Sequence, residues 1–536
     1  MKRIMPDVYS ADQLFTFSGL DGATNYFNML TLISRPERFT YYVMLPKRRG
    51  EIRLPDCAGS LAVGGDFADF GKSRMLMADA CNLLISGPVE LLEVDETVYT
   101  VRRKGSLTLF SVKGFEHPEL LDADYDALRK GKEKFLDEVA AVMPDVPDDA
   151  TAKTAAKAWA VMRNCIYSAE GKFRGYFITP DRWPHRASWI MDSVYQAITV
   201  KHFHRQAAVE SVFALFAHQQ ESGRIPMNGD PRVEHVRVQT QQPIIAAALK
   251  KLDATKDEIA EALPHLIAYI DWLYTHRDCD SDGLMEWFTY GGSPNCPCGE
   301  SGMDNSPRFD GRSTYAAVDL NCFISRECEV ISEFAGILGN TVEQKRFAER
   351  HAKLNELIEK HFWNDEIDFY CDRDILYWEA TKISAVSGFL PLVCGAASPE
   401  HAARLAAHIR NPKTFGTRYP VPSMSVSDPK FEKDMWRGPV WHIFNYWTAE
   451  GLERYGYDAE ARLIREKTVE AGVRYYTELG GFDEFYDCDG EIPPPLIQRK
   501  GKNTQDLKSG LFRAVHDYGW SASIFLDMLR RLQENK

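Results

Sequence analysis

The chain carries none of the usual marks of nucleotide, peptide or ester chemistry. It has no Walker A loop, no GxGxxG dinucleotide fingerprint, no HExxH helix and no GxSxG nucleophile elbow. Excess positive charge is also missing: the formal net charge is -13, which leaves no cationic footprint for phosphate, so no nucleic-acid partner is expected. No apolar run is long enough to cross a bilayer, and Met1-Lys2-Arg3-Ile4-Met5-Pro6-Asp7 leads into polar sequence without the apolar centre of a secretion signal. No membrane partner is expected, and the simplest location is cytoplasmic. The 11 cysteines are odd in number and scattered, so they read as reduced thiols and not as a disulfide framework. Cys296-Pro297-Cys298 is a close pair without the second pair a zinc site needs, and no metal ligands are assigned.

What is present is a globular composition, 44% hydrophobic and 26% charged, over 536 residues, which suggests two domains. Aromatic residues make up 12%. Their faces suit sugar rings, although most aromatics belong to a core. From about residue 8 to 110, short β-branched and aromatic runs such as Tyr41–Leu45, Leu83–Ser86 and Glu93–Val101 predict a small β-sandwich, with Gly19-Leu20-Asp21-Gly22 as a turn. Residues 122–142 read as a helix and 143–149, rich in proline and acid, as a linker. The expected domains are 1–145, β-rich with a linker helix, and 150–536.

Beyond the linker the periodicity predicts helices near 153–169, 187–201, 204–222, 240–251, 256–276, 314–337, 342–361, 380–390, 399–410, 436–455, 459–479 and 511–533. Thr255 with Glu258, and Thr341 with Gln344, have capping-box spacing, and Ser398-Pro399 reads as an N-cap before a first-turn proline. Connections after every second helix are short, whereas the others are far longer than ordinary helix–helix links. Antiparallel pairs joined this way put every long loop at one end. The expected fold is mainly α, an (α/α)6 barrel with a smaller N-terminal β-sandwich-like domain; without a sequence repeat, a helical solenoid is the alternative.

The long loops carry the chemistry. Trp189-Ile190-Met191-Asp192, following Tyr176, Arg182-Trp183 and Arg186, offers an aromatic platform and a hydroxyl acceptor, though Trp189 also suits a core and Asp192 a helix start. Asn228 and Gln242 are amides able to bind hydroxyls, or plain turn chemistry. Asp278-Cys279-Asp280-Ser281-Asp282-Gly283 imitates the start of a calcium loop, but the twelfth position is Thr289 and not a bidentate Glu. An acid-rich turn is favoured there, with structural calcium as the lesser reading. Glu300-Ser301-Gly302-Met303-Asp304-Asn305-Ser306-Pro307-Arg308-Phe309-Asp310 concentrates charge in a non-periodic segment between helices; read blandly, an Asp304–Arg308 ion pair closes it. Trp436-Arg437-Gly438-Pro439-Val440-Trp441, Gly481–Gly490 with Asp483, Glu484 and Asp487, and Asp517-Tyr518-Gly519-Trp520 complete the set.

Three of these stretches, Glu300 to Arg308, Trp436 to Trp441 and Glu484-Phe485-Tyr486-Asp487, resemble in that order glycoside hydrolase family 63 and its trehalase and mannosylglycerate or glucosylglycerate hydrolase relatives. The resemblance spans roughly 150–536. It implies an (α/α)6 barrel, inversion of an α-glycosidic bond without a required cofactor, and a small carbohydrate substrate. By position, Asp304 matches the general acid and Glu484 the general base, which in an inverting pair stand about 6.5–9.5 Å apart. Asp192, Gln242, Arg308, Trp436, Arg437, Trp441 and Trp520 fall in stretches that resemble the sugar-binding parts, and Trp189, Asn228 and Glu300 join them as candidate substrate-binding residues on their own chemistry. For Asp304 to stay protonated it needs burial or a neighbouring negative charge, which Glu300 would supply and Arg308 would oppose. The chain departs from the family pattern at Met191 and Phe309, where tryptophan is common, at Met435, where an aromatic is frequent, and at Asp487-Cys488-Asp489-Gly490. The leading expectation is an inverting α-glucosidase on a small oligosaccharide or glycoside. The alternatives are a mannosylglycerate- or glucosylglycerate-type hydrolase, a sugar epimerase using histidines such as His235, His276, His442 and His516, and a non-catalytic carbohydrate-binding protein.

Overall fold

The computed structural model describes residues 41–534 except 45–50, 56–60, 64–66, 71, 80–81, 93, 132–145, 147, 168, 182–184, 186, 232–237, 290–291, 294 and 502–513. The Gly19–Gly22 turn, Arg182-Trp183, Arg186, His235 and most of the expected linker lie outside the described residues.

The chain is mainly helical with small N-terminal sheets. Strands β1 (Tyr41–Met44), β2 (Glu51–Leu54) and β7 (Glu90–Leu92) form one antiparallel sheet, in the order β1-β2-β7. A second has the order β3-β4-β5-β6-β9-β8, from β3 (Leu61–Val63), β4 (Phe67–Phe70), β5 (Ser73–Asp79), β6 (Asn82–Ser86), β8 (Tyr99–Lys104) and β9 (Leu107–Val112). Side chains alternate across a strand, so β5 sends Met75 and Met77 to one face and Leu76 to the other. Met75 and Met77 pack with Ile52 and Leu54 of β2, and the same cluster takes in Tyr167, Phe173 and Phe177 from the helical part.

The helices are α1 (Asp149–Asn164), α2 (Ile190–Phe213), α3 (Ile245–Lys251), α4 (Lys256–His276), α5 (Val318–Ile337), α6 (Thr341–Phe362), α7 (Leu390–Cys394), α8 (Pro399–Arg410), α9 (His442–Arg454), α10 (Asp458–Leu479) and α11 (Gly519–Glu534). Helix α2 is two segments in one: His204 leaves helical geometry at φ -149°, and its Nδ1 accepts the Ala207 N–H at 3.0 Å, capping the second segment. The sequence places the break at 202–203.

Burial separates the helices into two kinds. Helix α5 buries residues all round, from Val318 to Ala335, whereas α8 buries only Ala402, Leu405, Ala406 and Ile409, an i, i+3, i+4, i+7 stripe. Helices α2, α3, α5, α7, α9 and α11 pack successively on one another, and α11 returns to α2. At that closure Thr199 donates to the Ser523 carbonyl at 3.0 Å and Ser523 to the Tyr195 carbonyl at 2.6 Å. The capping box at Thr255 and Glu258 forms, as does the Ser398 cap. At α6 the cap is Asn340, accepting from Glu343 N–H, so Thr341 is the first helical residue and not a capping-box residue. The helix expected over 380–390 instead runs from Leu390 to Cys394 after a 3₁₀ turn, because Pro391, with no N–H to donate, fits only a first turn. No described helix is long and apolar enough to cross a membrane.

Candidate active site

The N-terminal ends of the successive helices meet the long loops around a cavity of about 470 Å³. Trp189 caps α2 and Asp192 lies in its first turn; Trp441 caps α9 and Trp520 is in the first turn of α11. Asp304 comes from the loop before α5 and Glu484 from the loop after α10. All six line the cavity, together with Trp436. Trp436 and Trp441 stack at 3.7 Å with planes 6° apart, and Trp520 meets Trp441 edge-on at 5.6 Å.

Asp304 sits on a tight approach of two loops. Gly302 before it has φ +67°, and a Cβ there would fall 2.7 Å from Met191 Sδ, so only glycine lets this loop close on α2. Asn305 then accepts the Trp436 N–H at 2.9 Å, tying the acid loop to the tryptophan loop. The nearest cation to Asp304 is not Arg308 but Lys500, whose Nζ is 2.6 Å from Oδ2. The Cys296 thiol also hydrogen-bonds Asp304; burial, and then the Asp304 charge, push that thiol up to about 12.

Glu484 is almost wholly buried and accepts from Arg499 at 3.0 Å and from the Val515 N–H at 3.3 Å. Its own N–H reaches the Val515 carbonyl at 2.8 Å. Buried ion pairs stand beside it: Asp483 pairs with His516 at 3.1 Å, and Asp517 with Lys157 of α1 at 2.7 Å.

Asp192 is buried, and one of its oxygens has no partner among the described residues. Burial pushes its carboxyl up to about 8; His185 and a hydrogen bond from Tyr518 pull it down, and the charges of Asp181 and Glu484 add to the rise. The unfolded carboxyl gives up its proton near pH 4, so the folded chain binds one more proton between about 4 and 8 and stability falls as pH rises through that window. Asp192→Asn fixes the neutral form. Its Tm relative to wild type is therefore expected to improve steadily from pH 5 to pH 8.5; a difference that does not vary with pH would contradict this.

Five sequence-picked positions do not line the cavity. Arg308 is buried between Asp319 and Asp372, making two bonds to each at 2.6 to 2.8 Å. Glu300 accepts from the Thr240 N–H and pairs with Arg277, so its carboxylate is engaged outside the cavity lining. Gln242 donates to the Ser301 carbonyl, Arg437 pairs with Asp310, and Asn228 pairs in a short strand with Trp189. Phe309 is a core residue against Tyr315, so its departure from the family pattern does not touch the cavity, whereas Met191 and Met435 line it. Sequence reasoning passed over His185, Arg499 and Lys500. The run Gln498-Arg499-Lys500-Gly501-Lys502, cationic in an acidic chain and in the same loop as Glu484, was the available signal for two of them.

Two carboxylates from separate loops line one cavity walled by tryptophans, an arrangement that suits the glycoside hydrolases. Residues 184–521 match the mannosylglycerate hydrolase MGH1-like glycoside hydrolase domain, and the chain belongs to that family, within glycoside hydrolase family 63. Mannosylglycerate hydrolase MGH1 of Selaginella moellendorffii is 25% identical over 408 residues, 59% of this chain and 78% of that one. The mannosylglycerate hydrolase of Thermus thermophilus is 24% identical over 443 residues, 66% of this chain and 96% of that one. A crystal structure of the family 63 mannosylglycerate hydrolase from the same species, in complex with glucose, covers 70% of this chain and 99% of its own, with a TM-score of 0.57 and 22% identity. It shares the fold.

Proposed function

We propose that this enzyme hydrolyses, with inversion, an α-glycosidic bond between a sugar and a small hydroxy acid, the mannosylglycerate type of substrate, in a catalytic (α/α)6 barrel over 150–536 that follows an N-terminal unit over 1–145. The α-glucosidase reading gives way to this alternative because the relatives above are mannosylglycerate hydrolases by name. The observation that carries it is the pair of cations in the cavity, Arg499 and Lys500, each beside one of the two carboxylates. The ammonium already pairs with Asp304, and a substrate carboxylate offers it a second anion, which a neutral disaccharide does not.

Asp304 is then the general acid and Glu484 the general base. Guanidinium and amide donors aim the Glu484 carboxylate, as suits a group that takes a proton from water. Asp304 delivers a proton to the leaving oxygen, which it cannot do while paired to Lys500. A substrate carboxylate that engages the ammonium frees it, so binding of the acid moiety arms the catalytic acid. Two carboxyls and water suffice, and no cofactor is required. The epimerase alternative finds little support: of the described histidines only His185 lines the cavity, while His442 stacks on Tyr486 at 4.5 Å and burial pulls it down to about 4.

The test compares α-mannosylglycerate and α-glucosylglycerate with α-mannosylglycerol and trehalose. A charge-assisted hydrogen bond contributes about 1.5–3 kcal/mol, so kcat/KM for the glycerates is expected to exceed that for the uncharged glycosides by about 10–100-fold. Lys500→Met should erase most of that gap. Faster turnover of trehalose than of either glycerate would overturn the substrate class, and an α-anomer as first product would overturn inversion.

A further inference from the structure

The segment Asp278–Gly283 repeats the calcium-loop pattern in its first six positions, with Gly283 at φ +90° in the sixth. Its twelfth position, Thr289, is committed elsewhere, donating to the Ser313 carbonyl at 2.7 Å. The ninth, Glu286, folds back instead. Carboxylate oxygens of Asp278, Asp280, Asp282 and Glu286 all lie within 4.8 Å of one another. Glu286 is fully buried; one oxygen accepts the Cys279 N–H at 2.9 Å, and the other, Oε1, is buried without a partner among the described residues.

We propose that Asp278, Asp280, Asp282 and Glu286 form a calcium site. Four converging carboxylates repel one another unless a cation stands between them, and among the described residues no lysine or arginine side chain forms an ion pair with any of them. The contrast is the other acidic group, Asp487-Cys488-Asp489, where Lys433 sits 3.0 Å from both aspartates and supplies the positive charge itself. Four carboxylate oxygen donors suit Ca²⁺ better than Mg²⁺, which demands a tighter octahedral shell and keeps several waters. The site would brace the base of the loop that ends at Asp304: Glu286 opens the strand Glu286–Phe288, which pairs with Thr314–Ala316 ahead of α5.

The test treats the full chain with EDTA, removes the chelator, and titrates CaCl₂ by calorimetry with Tm followed in parallel. Terbium serves as a luminescent probe because Trp287 adjoins Glu286 in the chain. One saturable calcium per chain, at least tenfold tighter than magnesium, with a Tm that climbs with calcium, is the expected result. Asp280 and Asp282 are exposed, so the double variant Asp280→Asn/Asp282→Asn should fold, lose the calcium heat and the terbium signal, and be at least as thermostable as the wild type in EDTA, since it relieves repulsion. No binding at millimolar calcium, or binding unchanged in the double variant, would overturn the site.

Discussion

Glu484→Gln is expected to lower kcat on the natural glycoside by roughly 10³-fold, within the 10²–10⁴-fold range of general acid–base catalysis, and to lower Tm as well, because it leaves the buried Arg499 guanidinium without its carboxylate. The substitution keeps the shape of the side chain and one acceptor oxygen for Arg499, but it removes the basic site that takes a proton from the attacking water. Asp304→Asn should cost as much on the same substrate. The two variants separate on an aryl glycoside whose leaving group departs as a stable anion. Such a group needs no proton, so Asp304→Asn should recover most of its loss, and Glu484→Gln should recover none. If the pattern reversed, the acid and base assignments would be exchanged; a Glu484→Gln enzyme with a tenth of wild-type kcat would remove the base from Glu484 altogether.

The sequence carried the outline of this arrangement better than its interior. Helices, their alternating connections and the cavity-lining Asp192, Asp304, Trp436, Trp441, Glu484 and Trp520 were legible, because periodicity marks elements and chemistry-bearing residues gather in the long connections. What could not be read was which charged loop residue turns inward. Glu300 and Arg308 flank Asp304 in the chain, and proximity in sequence suggested that they tune it, yet each is satisfied by a partner 23 or 64 residues away. Lys500, nearly 200 positions downstream, takes the place expected for them. Pairings of this kind depend on the closure of the whole ring of helices, and no local pattern encodes them. At Asp278–Gly283 the twelfth position of a standard loop falls on Thr289, and no local pattern shows that the ninth, Glu286, folds back to the aspartates.

Arg308→Met is expected to destabilise the fold by about 3–5 kcal/mol, the range for stripping one partner from a buried ion pair, and to lower Tm accordingly. Arg308, Asp319 and Asp372 are each at most 1% exposed, so water cannot replace the guanidinium, and two carboxylates would face each other in the interior. Those carboxylates also hold the frame of the site. Asp319, in the first turn of α5, accepts from Trp287 Nε1 at 3.1 Å, and Asp372 accepts the Val318 N–H at 2.8 Å, so the loop bearing Asp304, the start of α5 and the strand at Glu286–Phe288 meet on one cation. Arg308→Lys should be nearly as harmful, because a single ammonium cannot make the paired bonds to both aspartates that the planar guanidinium makes. If the damage comes from uncompensated charge and not from lost packing, Arg308→Met combined with Asp319→Asn should be more stable than Arg308→Met alone, and a double-mutant cycle between positions 308 and 319 should show coupling above about 1 kcal/mol. Additive losses in that cycle, or an Arg308→Met chain that melts within about a degree of wild type, would mean that the buried arginine is packing alone and that the acid loop is held by its contacts with Met191 and Trp436.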